Sequence, residues 1–266
     1  MRRTLRHWWA LYQIYIQDGF AYRAAGFIWI LTDFTTAATM PLVWAAAAAG
    51  GTIGGYSGQG FVLYYLCMLM ISCFVTSHFM WEVAVEIKEG QFSTYLVRPI
   101  SYFQFMLVRN FAWRCVRTSL FLPLFLFLIW AYRGMLPSPD LSWSWQFFVS
   151  VLLGHLVSFV FVMAMGMLAL FVQEAQSIFE LYYVPMLFLS GQLFPVSLLP
   201  DWARSLAKMF PFYYTTGAPT EMLIGRVPPS EYGTVLLIQL GWLVGFVLIG
   251  RLVWRQGLKH YTGVGM

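Results

Sequence analysis

Long apolar runs broken by short polar interludes set the pattern of this chain. Residues 24–49, 61–83, 147–172, 178–194 and 234–254 are each predicted to be a membrane span, since crossing the hydrocarbon core as a helix takes about 20 mostly apolar residues. A sixth run, 113–132, differs: Arg109, Arg114 and Arg117 fall around its start and leave only residues 118–131 free of charge. That helix is predicted to begin in water and to enter the membrane near Trp113, with Arg114 and Arg117 snorkelling to the interface. Ahead of the first run, Leu5, Trp9, Tyr12, Ile16 and Phe20 recur at helical spacing, with Arg3, Gln13, Gln17 and Asp18 off that stripe. Residues 1–23 are therefore predicted to form an amphipathic helix lying in the interface, its Trp and Tyr rings at headgroup level. The basic tip has neither a clean apolar core nor a small-residue cleavage site, so a removable signal peptide is not expected.

Composition sharpens this picture. Of 266 residues 60% are hydrophobic and 10% charged, where soluble domains carry about 25% charged residues. The excess must face lipid, and the segments lack the alternation of about ten residues per strand that marks a membrane β-barrel. The expected fold class is all-α: a single polytopic membrane domain with six transmembrane helices. The net charge of +5 forms no basic stripe, so a nucleic-acid partner is not expected. Instead, Arg2, Arg3, Arg6, Arg23, then Lys88, Arg98, Arg109, Arg114, Arg117, then Arg251, Arg255 and Lys259 put twelve of the sixteen basic residues on one side, against Arg133, Arg204, Lys208 and Arg226. The positive-inside bias predicts that both termini are cytoplasmic. Cys67, Cys73 and Cys115 lie in or beside apolar runs with no disulfide or metal spacing and read as small core residues.

The most informative interlude is EIKEGQFSTYLVRPIS, within the segment 84–101. Gly90 can end a helical extension of the second span, and Phe92, Tyr95 and Leu96 then fall at i, i+3 and i+4 on one helical face. Pro99 stops the element after about two turns. A short amphipathic helix parallel to the membrane presents an apolar knob suited to a groove on a cytosolic partner. The plainer reading is a solvated loop that touches only its own chain.

This segment resembles the cytoplasmic coupling helix of type-2 ABC transporter permeases, in which an acidic-basic-acidic-Gly run leads to a helix closed by Leu and then Pro. Glu86, Lys88, Glu89, Gly90, Leu96 and Pro99 stand at the matching positions, while Gln91 and Ser93 depart from the commonest pattern. A second block within 195–230, with its approach, resembles that family's outer re-entrant segment through Ser190-Gly191, Phe194-Pro195, Leu199-Pro200, Trp202, Pro211 and Tyr213. The resemblance covers nearly the whole chain and points to a bacterial subgroup. It implies that two such permeases pair as a homodimer or related heterodimer, each docking an ATP-hydrolysing subunit through the coupling helix. Glu86, Glu89, Gly90, Phe92, Tyr95, Leu96 and Pro99 are then the expected ATPase-coupling residues.

The chain has no G-x-x-x-x-G-K-[ST] loop around Lys88, Lys208 or Lys259, so ATP hydrolysis is assigned to a separate polypeptide and no cofactor is expected. In the first span Asp33, with Thr36 and neighbouring threonines, marks either a polar strip on a translocation path or interhelical hydrogen bonding. His78 and Glu82, one turn apart, have the spacing of two metal ligands but no third. An ion pair, or pairing with Arg114 or Arg117, is the simpler reading. Glu174 and Glu180 flank the turn where the family's second ATPase contact would lie, and His155 reads as an interior histidine. The expected function is the membrane subunit of an ATP-driven exporter that moves a hydrophobic or amphipathic substrate outward across the bacterial inner membrane among its lipids. The alternative is a proton-coupled secondary transporter using Asp33 or His155. An intramembrane enzyme is not supported, because no nucleophile and base pair up.

Overall fold

A computed structural model describes residues 2–137, 141–172 and 175–262, with the side chains of 2–5, 23–27, 29–34 and 37 outside the description. The described residues are mostly helical, without strands: α1 (Arg2–Ala21), α2 (Arg23–Ala47), α3 (Gly58–Val75), α4 (Met80–Lys88), α5 (Phe92–Leu96), α6 (Tyr102–Ala131), α7 (Trp145–Gly166), α8 (Gln176–Leu189), α9 (Asp201–Met209), α10 (Ala218–Leu223) and α11 (Tyr232–His260). Four stretches among them are long and apolar enough to cross a membrane: Gly58–Lys88, Tyr102–Ala131, Trp145–Leu170 and Pro229–His260. The protein is therefore a multi-pass membrane protein. Large apolar side chains that remain uncovered, such as Leu237, Val244, Leu248 and Leu252 on α11, need a lipid or protein neighbour rather than water.

The first region that departs from the sequence expectation is the second span, which is not one helix. It stops at Val75, runs extended through Thr76 and resumes at Met80. Irregular backbone at membrane depth is tolerated only where protein satisfies its polar groups, and here it does: Ser77 N donates to Ser158 Oγ at 2.9 Å, Asn110 Nδ2 to Ser77 Oγ at 3.1 Å, and Gln192 Nε2 to Thr76 Oγ1 at 3.4 Å. These partners come from α6, α7 and the turn after α8, so the break is a tertiary feature.

α6 is continuous over 30 residues, but Arg114 does not snorkel. It is 2% exposed, turned into the bundle rather than out to an interface. α1 also behaves differently from its predicted stripe. Leu11 and Tyr15 pack against the core cluster around Phe105, with the Tyr15 and Phe105 rings 5.6 Å apart, whereas Trp9 and Phe20 stay exposed. Tyr12 of the predicted stripe also meets α6, its ring 6.1 Å from Phe111, and Ile16 is half-buried, so the protein-facing side is rotated toward Leu11 and Tyr15 and only part of the stripe is left for the surroundings.

At the end of the bundle where α3 starts and α11 begins, residues 196–227 fold back as a re-entrant unit of a 3-10 turn, α9, a π-helical turn (Tyr213–Gly217) and α10. Gly154 on α7 allows this: a Cβ there would lie 2.5 Å from the Thr215 carbonyl oxygen. Gln239, fully buried on α11, donates from Nε2 to the carbonyls of Ser150 and Tyr214 at 2.9 and 2.7 Å and so ties α7, α11 and the π-turn together.

Candidate functional site

The interlude between α4 and α6 folds into an elbow. α4 ends at Lys88, and Gly90 reverses the chain at φ 77°, a left-handed value that other residues rarely adopt. α5 then runs for 5 residues and is shorter than the two turns expected. Thr94 Oγ1 closes the turn onto the Gln91 carbonyl at 2.8 Å, and Gln91 Nε2 donates to Glu89 Oε2 at 2.8 Å. Pro99 is exposed and prevents any extension of α5 into α6.

A charged anchor fixes the elbow to the bundle. Glu86, 7% exposed, accepts from Tyr102 OH at 2.7 Å on Oε2 and from Arg109 Nη1 at 2.8 Å on Oε1. The other arm of the Arg109 guanidinium reaches Glu82 at 2.6 Å. One fork thus bridges two carboxylates on successive turns of α4, which is the planar geometry that arginine supplies and lysine does not. Glu82 thus forms its ion pair with Arg109, as the simpler reading expected an ion pair here, and no group of three metal-ligating residues forms among the described residues.

The expectation that Phe92, Tyr95 and Leu96 present one apolar face away from their own chain is not met. Phe92 is fully buried within the chain, its ring edge-on to Tyr102 at 4.9 Å, Tyr261 at 5.2 Å and Trp254 at 5.6 Å. Tyr95 packs on Phe105 at 4.8 Å and Tyr102 at 5.3 Å, under the Arg98 guanidinium at 4.7 Å. Burial first, and the nearby Glu86 carboxylate second, hold the Tyr95 phenol above its usual pKa, so it stays a neutral packing ring. Ser93 is likewise not idle, because its hydroxyl pairs with Tyr261 OH at 2.8 Å. The physical reason is supply: Tyr102, Trp254 and Tyr261 offer an aromatic cage that a ring as apolar as Phe92 fills more favourably than solvent.

What remains outward is a narrow rim. Leu96 is 40% and Val97 84% exposed, and Gln91, Thr94, Arg98 and Pro99 are exposed beside them, with Lys88 and Glu89 at the foot of α4. Of the sequence-derived candidates, Glu86, Phe92 and Tyr95 thus form the seat, Gly90 the bend, and Glu89, Leu96 and Pro99 the outer surface. Thr36 is exposed on α2, a separate helix, and the Asp33 side chain lies outside the described residues. Glu174 also lies outside them, whereas Glu180 is exposed on α8. His155 is buried and packs against Phe74 at 5.3 Å and Phe111 at 6.1 Å. Sequence reading missed the seat's distant half, Trp254 and Tyr261. The one available signal was an aromatic pair in an otherwise basic tail segment.

A family described as ABC-2 family transporter protein has a sequence model that matches residues 29–265. The match takes in α3–α11 with the whole elbow and leaves α1 outside. Among curated proteins no relative matches.

Proposed function

The chain belongs to the ABC-2 family of transporter proteins and is the membrane subunit of an ABC transporter, and on that premise we propose that the elbow is where a separate ATPase subunit docks and drives it. The observation that carries this reading is the division of labour in α5. Phe92, Tyr95 and Glu86 lock it to α4, α6 and α11, while Leu96 and Val97 lie uncovered between charged neighbours. A force applied at the rim passes into three bundle helices through packed rings and an ion pair rather than through slack chain, as a rigid-element coupling scheme requires. Two copies of the permease, or this chain with a related one, alternate their openings as the ATPases close and move a hydrophobic or amphipathic substrate outward.

In the full topology of this reading α2 and α8 complete six spans with the four long ones, both termini and the elbow face the cytoplasm of a bacterium, and the re-entrant unit faces outward. The basic residues support that orientation, with twelve of sixteen on the elbow's side. Asp33 and Thr36 on α2 line the translocation path.

Affinity purification of the intact protein from its own membranes tests the docking. An ATPase subunit is expected to co-purify with the wild type and to be lost from Leu96→Asp without loss of inserted permease. Wild-type levels of ATPase on Leu96→Asp would overturn the docking face. A protein that transports with no ATPase bound would return the reading to proton-coupled transport.

A further inference from the structure

The re-entrant unit carries a carboxylate that docking and coupling do not use. Glu221, on α10, is 8% exposed. Its Oε2 accepts from Tyr213 OH at 2.7 Å, which joins α10 to the π-turn, but Oε1 is buried without a hydrogen-bond partner. Tyr56 OH and Ser197 Oγ, on the neighbouring loop and 3-10 turn, are buried beside it and face each other.

Three cations face this spot, and each is held by something else. Arg226 lies over the Tyr56 ring at 4.0 Å and donates to the Gly55 carbonyl. Lys208 sits over the Tyr213 ring at 5.9 Å. Arg204 donates to the carbonyls of Ser197 and Leu199 at 2.9 and 3.0 Å and pairs with Asp201 at 3.3 Å. Tyr64 approaches from α3 and spends its hydroxyl on the Gly191 carbonyl at 2.7 Å. Among the described residues none forms an ion pair with Glu221.

A carboxylate buried with one hydrogen bond and no ion pair is costly, and such a group escapes the cost by taking up a proton. Burial is the largest influence on Glu221 and holds its carboxyl above the usual range, against the lowering pull of Tyr213 and the three cations. Because Tyr213 donates to Oε2, the proton belongs on Oε1, the oxygen that has no donor.

We propose that Glu221 is a proton-operated clasp: carrying its proton it seats α10 and the π-turn against α3 and α7, and when that proton passes to solvent water the re-entrant unit lifts from the bundle. The closed state binds the proton more tightly than the open one, so the clasp is fully closed below the ordinary carboxyl value of about 4.3 and loosens as pH rises. Between the open-state and closed-state values the opening equilibrium rises about tenfold per pH unit.

The chain contains its own reporter. Cys67 on α3 is buried in the same apolar cluster as Leu223 of α10, so lifting α10 uncovers it. In full-length protein with Cys73→Ala and Cys115→Ala, the rate of Cys67 modification by a small maleimide is measured from pH 5 to 8, and again with Glu221→Gln added. Dividing the two rates removes the thiol ionisation they share. The quotient of wild type over Glu221→Gln is expected to climb with pH by up to about tenfold per unit until it levels off. A quotient that stays flat overturns the clasp. Should Glu221→Gln not fold, Tyr213→Phe replaces it. Losing a hydrogen bond that favours the ionised form makes the rise extend to higher pH than in the Tyr213 protein, and an unchanged profile overturns the clasp equally.

Discussion

The two ends of the bundle use the same small device with opposite consequences. At the elbow, Tyr102 donates to Glu86 at 2.7 Å, and in the re-entrant unit Tyr213 donates to Glu221 at 2.7 Å. Both carboxyls are more than nine-tenths buried. The difference is the second oxygen. Glu86 Oε1 has the Arg109 guanidinium at 2.8 Å, whereas Glu221 Oε1 has no hydrogen-bond partner. A buried carboxylate bonded on both oxygens, one of them to an arginine, ties the elements it joins together. One without a cation can hold its place only with a proton. The difference teaches that a tyrosine-carboxylate pair has no fixed meaning, because the cation decides whether it is an anchor or a catch.

The sharpest way to break the comparison is to take the cation away. Arg109→Ala leaves Glu86 buried beside Tyr102 alone, which makes the elbow chemically like the re-entrant unit. Removing one partner of a buried pair costs about 3–5 kcal/mol, and the lower end is expected because Glu82 and Arg109 are partly open to solvent. Thermal unfolding of the purified variant is expected to show that loss, together with an increase in proteolysis at the elbow. Arg109→Lys keeps the charge but not the fork, so it should fall between the variant and the wild type. Wild-type stability in Arg109→Ala would mean that the ion pair does not hold the elbow.

Of similar size is Phe92→Ala. The ring fills a cage made by Tyr102, Trp254 and Tyr261, and truncating a fully buried Phe costs about 3 kcal/mol or more through lost transfer energy and the cavity left behind. The expected signature separates seat from rim, with lowered stability and weakened docking together. Docking lost at unchanged stability would show instead that Phe92 faces the partner.

How far the elbow was legible in the sequence follows from where its determinants lie. Gly90 and Pro99 bound it and the apolar residues between them recur at helical spacing, so a short helix at this place is a local property. Its orientation is not local. The cage residue Tyr261 stands 168 positions from Ser93, and neither spacing nor composition says that a chain tail comes back to cover Phe92. The interruption at Thr76 is hidden for the same reason, since the donors and acceptors that permit it, Ser158 and Asn110, belong to other helices. Glu221 stood in a polar stretch that reads as surface, and only the close approach of α7 at Gly154 brings that stretch into the core. Gln239, a single amide in an apolar run, was passed over in the sequence as well, although a polar group there needs buried partners, and it has two.

A smaller effect is expected from Ser93→Ala. The hydroxyl pairs with Tyr261 OH at 2.8 Å at the edge of the seat, and a single neutral hydrogen bond contributes about 1 kcal/mol net. The variant should unfold at slightly lower temperature and keep its docking. A neutral result would place the tail's hold on the elbow entirely in the Phe92 and Tyr261 rings.

The smallest effect on the fold should come from Val97→Asp, which turns it into the most direct comparison of rim with seat. Val97 is 84% exposed and has no seat in the aromatic cage, so a charge placed there meets solvent in the free permease and should change stability by less than about 0.5 kcal/mol. Docked against an apolar groove, the same charge would be stripped of water without a partner, and removal of a bound ATPase is the expected result. Unfolding temperature and ATPase co-purification measured on the same preparation therefore move apart for Val97→Asp and move together for Phe92→Ala. If Val97→Asp keeps both, the docking surface lies elsewhere on the elbow. If it loses both, Val97 belongs to the seat, and the division between an inner face that holds α5 and an outer rim that meets the ATPase is wrong.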